Sequence, residues 1–385
     1  MLELFELYNR DKSLFRSIAL ITFLNSLSAV PIRMFIYYII GKTISVKGSF
    51  VIFSITNIIL IIMLLVLYKI RNNNKIKSRI TIMKVIQTIM WALLVISLMY
   101  NDHKLLVMSV LIGFPLITVF ELDLLYFVFL MYKLKNRGLL SVLVEVIYEF
   151  SIIIVGVYSL LSNNNYVNII LISVISNIFL ISLIWGTNVN NIQEKRNNNY
   201  NFLLKVAIHM SLLLVVTGLN IMYFITPFAF SEISENLIGF MYILSSIVSV
   251  ILTPLLTPKL MKPTFSNSKI GTLLLMIALV YAISYFNKYL FVTSLIILQV
   301  ILYSIALTLR HKTIKTTEES YNTLLFYQMY WAISGFITLP IGIFINISTQ
   351  NLVLISSLIF IISGIVLLKQ NALEQNGENI SIHNL

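Results

Sequence analysis

Residues 50–69, FVIFSITNIILIIMLLVLYK, run into 70–79, IRNNNKIKSR, and then into 81–100, TIMKVIQTIMWALLVISLMY. A bilayer core takes about 20 apolar residues of helix to cross, so the two flanking stretches each read as a membrane span. The connection between them carries Arg71, Lys75, Lys77 and Arg79, the kind of basic hairpin that stays on the cytoplasmic side.

Working outward, the same alternation continues along the whole chain. Spans are predicted near 17–41, 50–69, 81–100, 105–132, 138–161, 166–187, 206–230, 236–257, 270–286, 289–309, 323–347 and 351–369. On the side of residue 1 fall Arg10, Lys12 and Arg16, the group from Lys69 to Lys84, and Lys133, Lys135 and Arg137. The same side takes Lys195, Arg196, Lys205, Lys259, Lys262, Lys269, Arg310, Lys312, Lys315 and Lys369. Of the 27 basic residues, only Lys42, Lys47, Lys104 and Lys288 fall on the other side, and Arg33 lies within a span. The positive-inside rule therefore predicts a polytopic membrane protein with both termini in the cytoplasm.

This topology accounts for the net charge of +12, which in a soluble chain would suggest nucleic acid. With 58% hydrophobic residues, there is no room for a sizeable soluble domain. The absence of cysteine excludes disulfides, thiol catalysis and cysteine-bound metal. Gly41-Lys42-Thr43 ends like a phosphate-binding loop, but Ile36 stands where the first glycine belongs. No histidines stand at metal-ligand spacing, so neither an enzyme nor a resident cofactor is expected. Residues 17–41 are too long for a signal peptide and contain Arg33, and they read as an uncleaved first helix. The asparagine runs Asn72–Asn74, Asn163–Asn165 and Asn197–Asn199 read as solvated loop filler.

An internal repeat organises the spans. Gly48 opens a helix that ends at Lys69 and a basic loop, and Gly239 stands in the same relation to Lys259. The simplest account is an all-α protein of twelve transmembrane helices in two six-helix bundles related by a pseudo-two-fold repeat. Its expected parts are an N-terminal bundle over 1–187, a linker over 188–205, a C-terminal bundle over 206–370 and a cytoplasmic tail over 371–385.

With this layout the chain resembles the major facilitator superfamily, in particular its macrolide-efflux-like and multidrug branches in bacteria. The more specific pieces are Ser231-Glu232-Ile233-Ser234-Glu235-Asn236-Leu237-Ile238-Gly239-Phe240, similar to the outer connection between helices 7 and 8, and Arg137-Gly138-Leu139-Leu140-Ser141, similar to the entry to helix 5. The resemblance implies a central cavity lined mainly by helices 1, 4, 7 and 10 that opens alternately to each side. The loop from Tyr68 to Arg79 keeps that family's basic residues but has neither its glycine nor its aspartate. Thr257–Pro263 also lacks an acid, and Ile152–Val157 lacks the proline of the antiporter pattern on helix 5.

Four of the fifteen acids fall within spans: Glu121 and Asp123 on helix 4, Glu145 and Glu149 on helix 5. A charge at mid-bilayer costs a few kcal/mol even on lenient scales. At 1.5 Å per residue, Glu121 and Glu149 fall within about 3 Å of the midplane, and Asp123 and Glu145 roughly 6 Å to the cytoplasmic side. Antiparallel helices 4 and 5 can thus bring their acids together. Glu145 and Glu149 share a helix face, whereas Glu121 and Asp123 cannot point the same way. Arg33 is the natural counter-ion for Glu121 or Glu149. One reading is a proton relay or a site for a cationic substrate, because crowded carboxylates at low dielectric can load and release a proton near neutral pH. The other is a structural network that locks helices 1, 4 and 5.

Asn25, Ser26 and Ser28 on helix 1, His209, Thr217 and Asn220 on helix 7, and Gln299, Tyr303 and Ser304 on helix 10 lie at span depth. Of these, Asn25, Ser28, Thr217, Asn220, Gln299 and Tyr303 are the candidates for a substrate cavity, with interhelical hydrogen bonding as the alternative. His209 reads as interfacial. Tyr37-Tyr38, Phe228–Phe230, Phe326-Tyr327 and Tyr330-Trp331 read as interfacial aromatic belts. The expected function is secondary transport: export of a small hydrophobic or cationic compound by alternating access, with proton coupling, by a monomer in a bacterial plasma membrane. The expected partners are the lipid bilayer and the small-molecule substrate, and no nucleic acid. Two alternatives stand beside it: a non-transporting immunity or accessory protein that binds a partner, and a lipid-linked flippase.

Overall fold

The structure is a computed structural model that describes residues 12–70, 76–132, 137–163, 165–186, 206–231, 237–262, 264–313, 321–344 and 349–382. Residues 71–75 of the connection, the 188–205 linker and the core of the Ser231–Phe240 stretch lie outside the described residues. Among the described residues there are twelve α-helices: α1 Lys12–Thr43, α2 Val46–Ile70, α3 Ile76–Tyr100, α4 His103–Tyr132, α5 Arg137–Leu161 and α6 Tyr166–Gly186, then α7 Val206–Ser231, α8 Leu237–Leu260, α9 Asn267–Ile283, α10 Lys288–Thr313, α11 Tyr321–Phe344 and α12 Thr349–Ile382. Eleven are long and apolar enough to cross a membrane. The last helix runs on to Ile382, beyond the point where a tail was expected to begin.

Helices are the form a bilayer imposes, since every backbone N–H and C=O must be satisfied within the segment. Their outer faces stay apolar: Ile62, Ile82, Phe179, Leu279 and Leu358 are all more than half exposed on the isolated chain, as a lipid-facing surface requires. Small hydroxyl residues take the inner contacts. Ser211 on α7 and Ser363 on α12 each donate to the other's backbone carbonyl, at 3.3 and 3.2 Å.

The connections have their own chemistry. Asn101 closes α3 with φ +55°, and Asp102 Oδ1 caps α4 by accepting from the backbone N–H of Lys104 and Leu105. The 163–165 asparagines do more than fill a loop. Asn163 adopts φ +51°, and Asn165 Oδ1 accepts from the N–H of Asn168 at the start of α6. Asparagine serves both positions because its side chain tolerates the left-handed region and accepts from free helix N–H groups.

The packing is two-fold in pattern. In the N-terminal half α1 packs on α5 and α6, α3 on α4 and α6, and α2 on α4. In the C-terminal half α7 packs on α11 and α12, α9 on α10 and α12, and α8 on α10. Each contact maps on its counterpart when six is added to the helix number. The two seams between halves, α2 with α11 and α5 with α8, exchange under the same operation. Along the second seam the backbones touch: a Cβ on Gly156 would lie 3.0 Å from the Gly239 carbonyl oxygen, and one on Gly239 would lie 3.1 Å from that of Gly156. In the C-terminal half Gly271 and Gly364 bring α9 and α12 equally close.

The end that bears Lys69, Lys77, Arg79, Lys259, Lys262, Lys269, Lys312 and Lys369 is called here the basic end, and the opposite one the far end. Toward the far end the halves are closed by aromatic rings. Tyr37 of α1 lies 4.1 Å from Phe53 of α2 and 5.3 Å from Phe224 of α7 between centroids, and Phe50 of α2 lies 4.0 Å from Phe224. Tyr242 of α8 donates to the Met34 carbonyl of α1 at 3.1 Å. Tyr37 and Tyr38 were read as belt residues, but Tyr38 is only 6% exposed and Tyr37 is part of this closure. Periodicity places an aromatic at a given depth, but not on the lipid or the protein side of the helix.

Candidate functional site

The centre of the molecule holds a charged constellation built from both halves. Arg33 on α1 donates to Glu121 Oε2 on α4 at 2.7 Å and to the Tyr148 hydroxyl on α5 at 3.5 Å. One turn before Tyr148, Glu145 accepts a hydrogen bond from the Tyr303 hydroxyl on α10 at 3.0 Å. One turn after Glu145 on the same face, Glu149 lies beside the hydroxyls of Ser246 and Ser249 on α8. Ser249 in turn pairs with Thr253 at 3.2 Å. Tyr223 on α7 lies within electrostatic reach of both Glu145 and Glu149, and its ring centroid is 6.2 Å from that of Trp331.

Helix geometry explains the assembly. Positions 145, 148 and 149 fall on one stripe of α5 because i, i+3 and i+4 share a face, and that stripe sits where α5 meets α1, α8 and α10. Arg33 and Glu121 neutralise one another. Among the described residues neither Glu145 nor Glu149 makes a salt bridge; their partners are hydroxyl groups. The site is therefore acidic and walled by tyrosines, suited to a cation stabilised by carboxylate charge and ring faces.

Asp123 stands apart. It is fully buried and accepts two bonds from Arg79 on α3, at 2.5 and 2.6 Å, so its charge is satisfied inside the N-terminal half. Lys84 is the group that sequence reasoning placed wrongly. It was counted with the basic connection, yet it is 1% exposed and held by Ser28 Oγ, Gln87 Oε1 and Asn177 Oδ1 at 2.9, 2.6 and 3.0 Å. Arg33 is therefore not the only basic residue deep in a span. The signal was available, since Lys84 and Gln87 share a face of α3, but a hydropathy reading smooths over a single lysine near a helix end.

Of the six cavity candidates, Tyr303 alone bridges the halves. Ser28 donates to the Asn25 carbonyl and receives Lys84, so it and Asn25 belong to the interior of the N-terminal half. Thr217 donates to Leu213 of its own helix. Asn220 binds Trp331 O and Ser334 on α11, and Gln299 donates to Thr226 on α7 at 2.6 Å. His209, near the start of α7, is buried and 2.7 Å from the Tyr330 hydroxyl, so it faces the protein side of its helix. Tyr148 and Tyr223 were missed, although Tyr148 follows Glu145 by three residues and that spacing marks it.

No family model matches the sequence, and no curated protein matches it. Solved structures do. A xylose transporter from E. coli, in a partially occluded inward-open conformation, superposes with a TM-score of 0.71 at 12% identity, over 93% of this chain and 98% of that one. A nucleoside transporter gives 0.65 at 12% identity over 93% and 99%. The E. coli fucose:proton symporter gives 0.65 at 15% identity over 93% and 99%, and an outward-conformation structure of a protein of the same name is described as a major facilitator superfamily transporter. Agreement over nearly the full length of each, together with the six-plus-six packing, gives this chain the fold of the major facilitator superfamily transporters.

Proposed function

We propose that this protein is a secondary transporter that moves a small cationic or hydrophobic compound by alternating access, with proton coupling through Glu145 and Glu149. The observation that carries the reading is the Glu145–Tyr303 bond, which ties an acid that makes no salt bridge among the described residues to the opposite half of the molecule. A substrate cation or a proton arriving at Glu145 competes with the Tyr303 hydroxyl for the carboxylate. Occupancy is thereby converted into a change in how the halves are joined, as alternating access requires.

Two further features support the reading. Glu149 lies one turn away, on the α5–α8 seam, so charge can pass between two carboxylates four residues apart. Tyr148, Tyr223 and Tyr303 supply ring faces for an organic cation. The far end is closed by aromatic rings from both halves, and at the basic end Tyr68 of α2 meets Phe326 of α11 at 6.5 Å between centroids. Export is the direction of the efflux branches that the chain resembles; a closed far end is one state of a cycle that transport in either direction passes through.

The test is flux in proteoliposomes driven by a pH gradient, across a panel of lipophilic cations and macrolide-like compounds, with Glu145→Gln and Glu149→Gln alongside the unmodified chain. Expected is gradient-driven flux that Glu145→Gln abolishes while the protein remains folded. An intact protein that moves no compound, with both variants equally stable, would overturn the transport reading in favour of partner binding.

A further inference from the structure

Lys84 is enclosed by neutral oxygens. Three neutral oxygens, from a serine, a glutamine and an asparagine, close on its ammonium at 2.6 to 3.0 Å, and the Phe120 ring lies beneath at 3.8 Å from its centroid. They come from three helices: Ser28 from α1, Gln87 from α3 itself and Asn177 from α6. No carboxylate among the described residues pairs with it. Asn25, on the same face of α1 one turn before Ser28, keeps a buried Oδ1 without a donor. The amide nitrogens of Gln87 and Asn177 are likewise buried without acceptors. Both amides have thus turned their oxygens toward the charge and left their N–H groups unsatisfied, an orientation that only a cation in the cage rewards. Neutral oxygens from hydroxyl and amide groups, with no thiolate or imidazole, are the donor set of a hard cation.

We propose that the neutral oxygens between α1, α3 and α6 form a cation cage whose occupant is the side chain of Lys84, and that without this lysine the cage takes a small monovalent cation in its place. The lysine supplies internally the positive charge that would otherwise be drawn from solution, and it holds the three helices together whatever the external ion. The proposal does not depend on the transport reading, because its test reads stability alone.

The test replaces the tethered cation with a free one. Lys84→Ala removes the ammonium and leaves the three oxygens. Expected is a lowered unfolding temperature that rises by several degrees with sodium or lithium chloride, and does not rise with choline chloride at the same ionic strength. A second variant, Lys84→Ala with Asn177→Asp, adds a carboxylate to the cage and is expected to bind the ion more tightly, shifting the midpoint of the response to lower sodium. It also serves if the single variant is too unstable to purify. Equal responses to sodium and choline, or no rescue by any small cation in either variant, would overturn the proposal.

Discussion

Tyr303 on α10 and Glu145 on α5 meet at 3.0 Å, and their hydrogen bond joins the C-terminal half to the charged face of the N-terminal half. A side-chain hydrogen bond contributes about 0.5–1.5 kcal/mol, and up to about 3 when its acceptor is ionised, so its loss would shift an equilibrium between conformations by roughly two-fold or more. Tyr303→Phe is therefore expected to loosen the halves at that depth without unfolding the protein. The chain has no cysteine, so single cysteines introduced near each end report accessibility without background. Unchanged labelling in Tyr303→Phe would show that this bond does not set the conformation.

Arg33 and Glu121 form a pair in which each neutralises the other. Removing one partner of a buried pair costs about 3–5 kcal/mol because the other is left uncompensated, though the partial exposure of both side chains, 32% and 21%, reduces the figure. Arg33→Gln and Glu121→Gln should each lower the unfolding temperature, and the double variant should be closer to the parent than their sum. A strictly additive double-mutant cycle would mean that the pair is not coupled.

Arg79 and Asp123 make the tighter pair, and the aspartate is fully buried. Asp123→Asn should destabilise the N-terminal half by about 3–5 kcal/mol and leave the ratio of transport rates between two substrates unchanged, since the pair does not face the acids on α5. A changed substrate ratio with normal stability would place Asp123 in the cavity after all.

Lys312 on α10 reaches the Phe265 carbonyl and Asn267 Oδ1 at 2.6 and 3.2 Å, just past the end of the membrane span. Burial lowers its pKa from the ordinary 10.5. A lysine whose pKa is lower folded than unfolded weakens the fold at neutral pH, and this penalty is relieved as pH rises through the folded value toward 10.5. Relative to Lys312→Gln, the parent protein should therefore gain stability as pH rises above neutral, measured as the difference in thermal midpoint. A difference that is flat or falls with pH would contradict the sign.

Gly271→Ala places a Cβ 2.8 Å from the Gly364 carbonyl oxygen inside the C-terminal half. Overpacking of this kind costs about 1–3 kcal/mol. The cost should appear as lowered thermal stability with unchanged end-labelling. Gly156→Ala, on the seam between halves, should instead shift labelling toward far-end exposure. If both variants behave alike, the seam is no more mobile than the interior.

The layout was legible because the bilayer leaves few choices: length and hydropathy define the spans, and the spacing of the acids on α4 and α5 brought them to matching depths near Arg33. Partner choice was less legible. Arg33 had two candidate acids at similar depth, and only the rotation of α4 about its axis, set by packing on α2 and α3, selects Glu121. The same rotation turns Asp123 to Arg79, a residue that looked like part of a basic loop until α3 proved to begin at Ile76. Ser28 and Asn25 fell on the expected helix, but toward Lys84, because periodicity tells which residues share a face and not which neighbour that face meets.

Two kinds of joint hold the halves together. Where Gly156 meets Gly239, no side chain beyond a hydrogen stands between the backbones, so parting them at that point forfeits dispersion and strands no donor or acceptor, while Glu149 and its α8 serines lie two turns away on the same seam. The Glu145–Tyr303 joint, by contrast, leaves a carboxylate needing a new partner when it parts. The molecule thus has a hinge that is cheap to move beside a latch that is dear to release, and a ligand governs it best by attending to the latch.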